Sequence, residues 1–300
     1  MDRVSAAMDR QNTVKQIQDI TAIGLVVNLL LSALKFALGI FGRSQAVVAD
    51  AVHSLSDMGT DLLVLLGVKF WSAPADERHP YGHQRVETVV TLCISFLLVA
   101  VAFAFGGDAI RSISHGPKCP PLSVALLGPL FSIIAKEILF RRTRAVGKRI
   151  HSSALIANAW HHRSDALSSI PALIAVAAAS ANPKWAFLDP IGALVVAILI
   201  LKVAWDIASP ALSELMDHGA SKDDLKRIEQ LSRSVNGVRS IHRLRTRRVG
   251  SGWFVDLHVL VDGNMNVRQG HDIATALQHK LLEDGPSVAD VTVHIEPDDL

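Results

Sequence analysis

Apolar residues fall in long blocks with short polar links between them, and the block lengths are those of helices that cross a bilayer. The blocks run from about Ile20 to Phe41, Ser44 to Trp71, Val86 to Ile113, Leu122 to Phe140, Ala159 to Ala181 and Phe187 to Leu212. Each approaches or exceeds the roughly 20 residues that an α-helix needs to span the hydrocarbon core. Turn formers punctuate the links, notably Pro74, Pro80 and Gly82 in the 73–85 segment and Asn182-Pro183 after the fifth block.

The pattern changes from about Asp217. Lys222 to Arg233 reads as an amphipathic helix, and Trp253, Val255, Leu257, Val259 and Val261 alternate with Phe254, Asp256, His258 and Leu260 in the period of a half-buried strand. A strand near Val238 to Arg247, a helix near Val267 to Leu282 and a strand near Val288 to Ile295 complete the order αββαβ, which suits a ferredoxin-like α+β domain. The predicted fold is an α-helical membrane protein with six transmembrane helices and a C-terminal cytoplasmic α+β domain. Residues 1–19 form a polar N-terminal arm, 20–213 the transmembrane domain and 214–300 the cytoplasmic domain.

Composition agrees with this division. Half of the 300 residues are hydrophobic and the mean hydropathy is +0.32. The formal net charge of +2 says little, but its placement orients the chain. Arg141, Arg142, Arg144, Lys148 and Arg149 follow the fourth block, and by the positive-inside tendency they share the cytoplasmic side with the N-terminal arm and the 73–85 link. Both termini are then cytoplasmic. The first apolar block lacks a persuasive cleavage site, which fits a bacterial inner membrane, although an internal vesicle membrane would look the same. Cys93 and Cys119 make neither a disulfide framework nor a Cys-x-x-Cys metal pair. The arginines at 243, 245, 247 and 248 alternate as a solvated strand edge does, near anionic headgroups, and nucleic acid is not expected as a partner.

Polar residues inside the blocks carry the chemistry. His53 and Asp57 lie four residues apart in the second block, and His161 and Asp165 repeat that spacing in the fifth. Four residues is one helical turn plus about 40°, so each pair projects from one face about 6 Å apart along the axis. Two such helices side by side offer two imidazole nitrogens and two carboxylate oxygens, a tetrahedral set suited to Zn2+. Asp50 and Asp61 extend the stripe on the second block, as Asn158 and Ser169 do on the fifth. Ionisable groups at membrane depth are costly and normally face a bundle interior or water. Polar residues can also serve only to hold helices together, but two matched stripes favour a metal or proton site. His162 is rotated by about 100° from His161 and is left out of that site.

With these features together, the chain resembles the cation diffusion facilitator family over nearly its whole length. The likeness rests on the six spans, the two His-x-x-x-Asp motifs, the loop His79-Pro80-Tyr81-Gly82-His83 and the αββαβ tail. It implies a homodimer that exchanges divalent metal for protons, binding the transported ion at His53, Asp57, His161 and Asp165. Members with two His and two Asp there are mostly zinc transporters. It further implies a second metal site at Asp76, His79 and His83, for which a solvated helix-capping loop is the alternative. A cytoplasmic zinc cluster at His242, His258, His271, His294 and Glu296 is also implied, Glu296 standing where some members have Asp. Sequence spacing does not make these residues converge, and His279 is read as merely exposed.

The expected function is therefore proton-coupled export of divalent cations, Zn2+ first, by alternating access, with cytoplasmic zinc as a regulatory ion. A broader Fe2+, Co2+, Cd2+ or Mn2+ exporter and a nontransporting sensor or scaffold remain as alternatives. No His-Glu-x-x-His supports a membrane metalloprotease and no Walker A signature indicates ATP drive, so the chain is not read as an enzyme.

Overall fold

Lipid offers no partner to backbone N–H and C=O groups, so the apolar blocks close their hydrogen bonds internally as helices. The computed structural model describes the backbone of residues 2–71, 73–116, 119–150, 153–250 and 252–298. Side chains at 2–18, 57, 59–69, 153, 154 and 157 lie outside the description. The long helices are α1 (Asp2–Phe41), α2 (Gln45–Trp71), α3 (Arg85–His115), α4 (Leu127–Arg149), α5 (Ser153–Ser168), α6 (Ile170–Ala181) and α7 (Leu188–Leu215). Among the described residues, five helical stretches are long and apolar enough to span: 19–41, 85–115, 123–149, 158–181 and 183–215. Between the first two lies α2, 27 residues long, with the carboxylates Asp50, Asp57 and Asp61 along it.

The chain divides into two compact units, Met1–Leu66 with Ile94–Trp205, and Gly67–Cys93 with Asp206–Leu300. In the first unit, the fifth block is a helix pair rather than one rod. Pro171 follows Ser169 at the start of α6 and has no N–H to continue the ladder, so the helix breaks at Ser169. Ser169, four residues beyond Asp165 on the same stripe, is fully buried. At the other end, the Gly42 carbonyl accepts from the Leu122 amide, and Asp189 accepts from the Ser44 hydroxyl at 2.5 Å and the Gln45 amide at 2.8 Å. Those bonds tie the α1–α2 turn to the segment before α4 and to the start of α7.

In the second unit, α8 (Lys222–Arg233), β1 (Ser240–Val249), β2 (Gly252–Val261), α9 (Val267–Asp284) and β3 (Val288–Pro297) reproduce the expected αββαβ order, with strand boundaries differing by at most two residues. The sheet order is β1-β2-β3, antiparallel then parallel. Ser221 caps α8, and Asn266 with Gln269 closes a capping box on α9. Val255, Leu257, Val259 and Val261 turn inward against Ile228, Leu231, Leu277 and Leu281. The alternate residues, His258 among them, are left on the opposite face. A salt bridge at 3.0 Å joins Arg85 at the start of α3 to Asp217 beyond α7, and the Gly250 amide in the β1–β2 turn donates to Glu214 at 2.9 Å. Gly250 has φ +57, and a Cβ there would stand 2.9 Å from Gln84 Oε1, so the turn favours glycine.

Candidate metal centres

Three constellations of metal-ligating residues follow from these elements. In the first unit, His53 on α2 and Asp165 on α5 are each 5% exposed. Asp57 lies one turn beyond His53, with its side chain outside the described residues, as is that of Asp61. His161 Nδ1 stands 3.7 Å from Asp165 Oδ1, as their four-residue spacing predicts, and the imidazole is half exposed on the helix surface. His162 instead is buried, and neither ring nitrogen has a hydrogen-bond partner among the described residues. It faces α1 where Gly24 allows close approach; a Cβ at Gly24 would lie 3.3 Å from His162 Nε2.

Two buried lysines accompany these ligands, and neither was singled out from the sequence. Lys35 Nζ on α1 forms an ion pair with Asp50 Oδ2 at 2.8 Å and donates to Ser54 Oγ at 2.9 Å and to Ser169 Oγ at 2.8 Å; Ser169 Oγ in turn donates to Asp50 Oδ1 at 3.0 Å. Asp50 and Ser54 flank His53 within one turn, and Ser169 follows Asp165 by four residues. The network therefore holds the His53 turn of α2 against the end of α5 that carries Asp165. On α4, Lys136 Nζ lies 3.3 Å from Asp165 Oδ2. The available signal was a lone basic residue in each of two apolar blocks, opposite in sign to the carboxylates of their neighbours.

The second constellation lies on the α2–α3 loop. Asp76 Oδ1 accepts from the backbone amides of His79 at 2.6 Å and Arg78 at 2.9 Å, an Asx-type turn that folds the loop back on itself. Gly82, at φ +84, completes the return. His79 Nδ1 is then 3.1 Å from Asp76 Oδ1 and His83 Nε2 3.4 Å from Oδ2. One ligand atom from each of Asp76, His79 and His83 falls within 4.8 Å of the others. The amide of His79 is the main cause that holds the Asp76 carboxyl below its usual range; desolvation, the next largest effect, opposes it, and the Arg78 amide adds to the lowering. The carboxylate is thus ionised and aimed at the imidazoles.

The third constellation lies on the outer face of the sheet. Register places His242 opposite His258 and His258 opposite His294, a row of imidazoles across all three strands. A bulge between His242 and Arg245, with Arg243 at φ +47, inserts one extra residue and restores the row. Glu296, two residues beyond His294, shares their face. It accepts from His242 Nε2 at 2.6 Å and His258 Nδ1 at 2.7 Å, with His294 Nε2 at 3.5 Å. His242, His258 and Glu296 bring one ligand atom each within 4.8 Å, and a cation entering there would take the place of the shared protons. His271 is placed elsewhere: with Met265, Val293 and Ile295 it lines a cavity beside α9, on the other face of the sheet. His279 is exposed.

Hydrogen bonds from His258 and then His242 hold the Glu296 carboxyl below its ordinary value of 4.5. A depressed carboxyl contributes stability above its unfolded pKa and loses it as pH falls through the folded one. In metal-free buffer, wild type and Glu296→Gln are expected to differ in melting temperature at about pH 6, and the gap is expected to narrow as pH falls below the ordinary carboxylate range and through the depressed folded pKa. Thermal melts across that range check this; an undiminished gap at the acid end would show that the bonds do not favour the ionised form.

Residues 21–216 match the cation efflux transmembrane domain and residues 220–298 the cation efflux protein cytoplasmic domain. The chain is 33% identical over 282 residues to an uncharacterized transporter, MJ0449, of Methanocaldococcus jannaschii, a match covering 94% of this chain and 99% of that one. It is 32% identical over 283 residues to the manganese efflux system protein MneP of Bacillus subtilis, covering 93% and 95%. Among solved structures, a nickel form of the MamM CTD is 27% identical, covering 26% of this chain and 98% of that one with a TM-score of 0.25.

Proposed function

Because the chain belongs to the cation efflux family, and is thus an integral multi-pass membrane protein that carries divalent metal cations, we propose that it is a proton-coupled antiporter exporting Zn2+ from the cytoplasm. The observation that supports this best is the Lys35 network, which holds the His53 turn against the α5 segment bearing His161 and Asp165. His53, Asp57, His161 and Asp165 form the carrier site in this reading. Residues 20–213 move the ion, and residues 214–300 pair two copies into a homodimer in the cytoplasm. The matched cytoplasmic domain is of the type named for dimerisation.

The ligands account for the coupling. Metal binds neutral imidazole and ionised carboxylate, so protons compete for the site and a proton-rich compartment favours release. Alternation of access about a site between helices moves the ion without hydrolysis of any bond. The clusters at Asp76, His79 and His83 and at His242, His258 and Glu296 bind cytoplasmic metal, and occupancy of the latter favours the transport-competent dimer.

Manganese is the second reading, favoured by the likeness to MneP, which is named for manganese efflux. Ligand chemistry separates the two, since imidazole suits Zn2+ whereas carboxylate, carbonyl and water suit Mn2+. Uptake of Zn2+ and Mn2+ into proteoliposomes, with and without an imposed pH gradient, is the test. Gradient-driven Zn2+ flux exceeding Mn2+ flux is the expected result. Preferred Mn2+ flux would transfer the assignment to manganese, and flux of neither ion would remove the carrier reading.

A further inference from the structure

Lys35 and Lys136 are both buried in the first unit but held differently. Lys35 directs its ammonium to a carboxylate and two hydroxyls, all at 2.8–2.9 Å. The two hydroxyls accept hydrogen bonds and the carboxylate makes a close ion pair, so the ammonium is held from several sides. Lys136 is 2% exposed, and its contact is with Asp165 Oδ2 at 3.3 Å, longer than the 2.7–2.9 Å of a good charge-assisted bond. Asp165 Oδ2 has no hydrogen-bond partner among the described residues. Lys35 is a strut; Lys136 is loosely held against one of the carrier-site carboxylates.

We propose that Lys136 is a tethered counter-cation of the carrier site: it neutralises Asp165 when the site is empty and is displaced when a divalent ion binds, keeping metal affinity low enough for release. This rests on the assignment of Asp165 to the carrier site. A buried carboxylate without a counter-charge is strongly disfavoured, so an empty carrier needs a positive group there while it reorients. A divalent ion supplies twice the charge and displaces the ammonium, whose repulsion then lowers the stability of the loaded state. Lysine suits this exchange because its charge is compact and rides on a flexible four-carbon stem, whereas arginine would grip the carboxylate at two points.

The displaced ammonium also has a destination. Ser132 lies one turn back on α4, fully buried, and its Oγ has no hydrogen-bond partner among the described residues. Helical side chains lean toward the N-terminus, which brings the lysine stem over that turn.

The test is equilibrium binding of Zn2+ and of Mn2+ to the full chain in lipid nanodiscs, read by competition with a fluorescent chelator. His79→Ala and His258→Ala are placed in the background to silence the other two clusters. Lys136→Met is expected to bind roughly tenfold more tightly, and Lys136→Arg several-fold more weakly, than the background chain. Asp165→Asn is expected to lose binding. Unchanged or weaker binding by folded Lys136→Met overturns the proposal. Should the methionine variant not fold, the arginine variant decides alone, and equal or tighter binding by it overturns the role. If Asp165→Asn binds as the background does, the carrier-site assignment itself fails; if it loses binding while Lys136→Met is unchanged, only the role of the lysine fails.

Discussion

Replacing Asp165 with asparagine is expected to reduce gradient-driven metal uptake to the level of protein-free liposomes. Asparagine preserves size and one acceptor oxygen but removes the negative charge that a divalent ion replaces a proton on. It also leaves Lys136 buried beside a neutral group, and an uncompensated buried charge costs about 3–5 kcal/mol. Loss of flux could thus follow from loss of fold. The double variant Asp165→Asn/Lys136→Met removes both charges together and is expected to regain most of the thermal stability while remaining inactive. Recovery of flux in the double variant would place Asp165 outside the ion path.

Lys35→Met is expected to be the most destabilising single substitution in the membrane unit. It strips Asp50 of its counter-charge and leaves the Ser54 and Ser169 hydroxyls without their donor, all in a fully buried setting. Breaking a buried pair by removing one partner costs about 3–5 kcal/mol. The change also loosens the His53 turn from α5, so metal binding at the carrier site is expected to weaken even in protein that remains folded. Thermal unfolding and Zn2+ binding in the same micelles measure both effects. Lys35→Met/Asp50→Asn is expected to recover stability to a greater degree than binding. A single variant that melts and binds as wild type does would mean that the network holds nothing in place.

The difference between the two lysines illustrates how a single residue type takes different roles in one bundle. Among the described residues Lys35 meets Asp50, Ser54 and Ser169 and joins three helical segments. Lys136 meets Asp165 at a longer distance, and Asp165 is a carboxylate of the proposed carrier site. Composition and hydropathy treat the two alike, because each is the lone basic residue of an apolar block.

The sequence by itself determined what depends on neighbours along the chain. Block length set the spanning helices, since lipid forces each segment to satisfy its own backbone. Period-2 alternation placed Leu257 inside and His258 outside, and the four-residue spacing brought His161 and Asp165 to one helix face. Only the tertiary structure decided what depends on neighbours across it. Lys35 meets Ser169 over 134 residues, and Lys136 meets Asp165 from another helix. The bulge after His242 restores a row of imidazoles that strand counting alone would not align. His242, His258 and Glu296 share one face of the sheet while His271 lies beside α9 on the other. Periodicity states which way a side chain points along its own helix or strand; which group it meets there depends on how the elements pack, and that is a property of the folded chain.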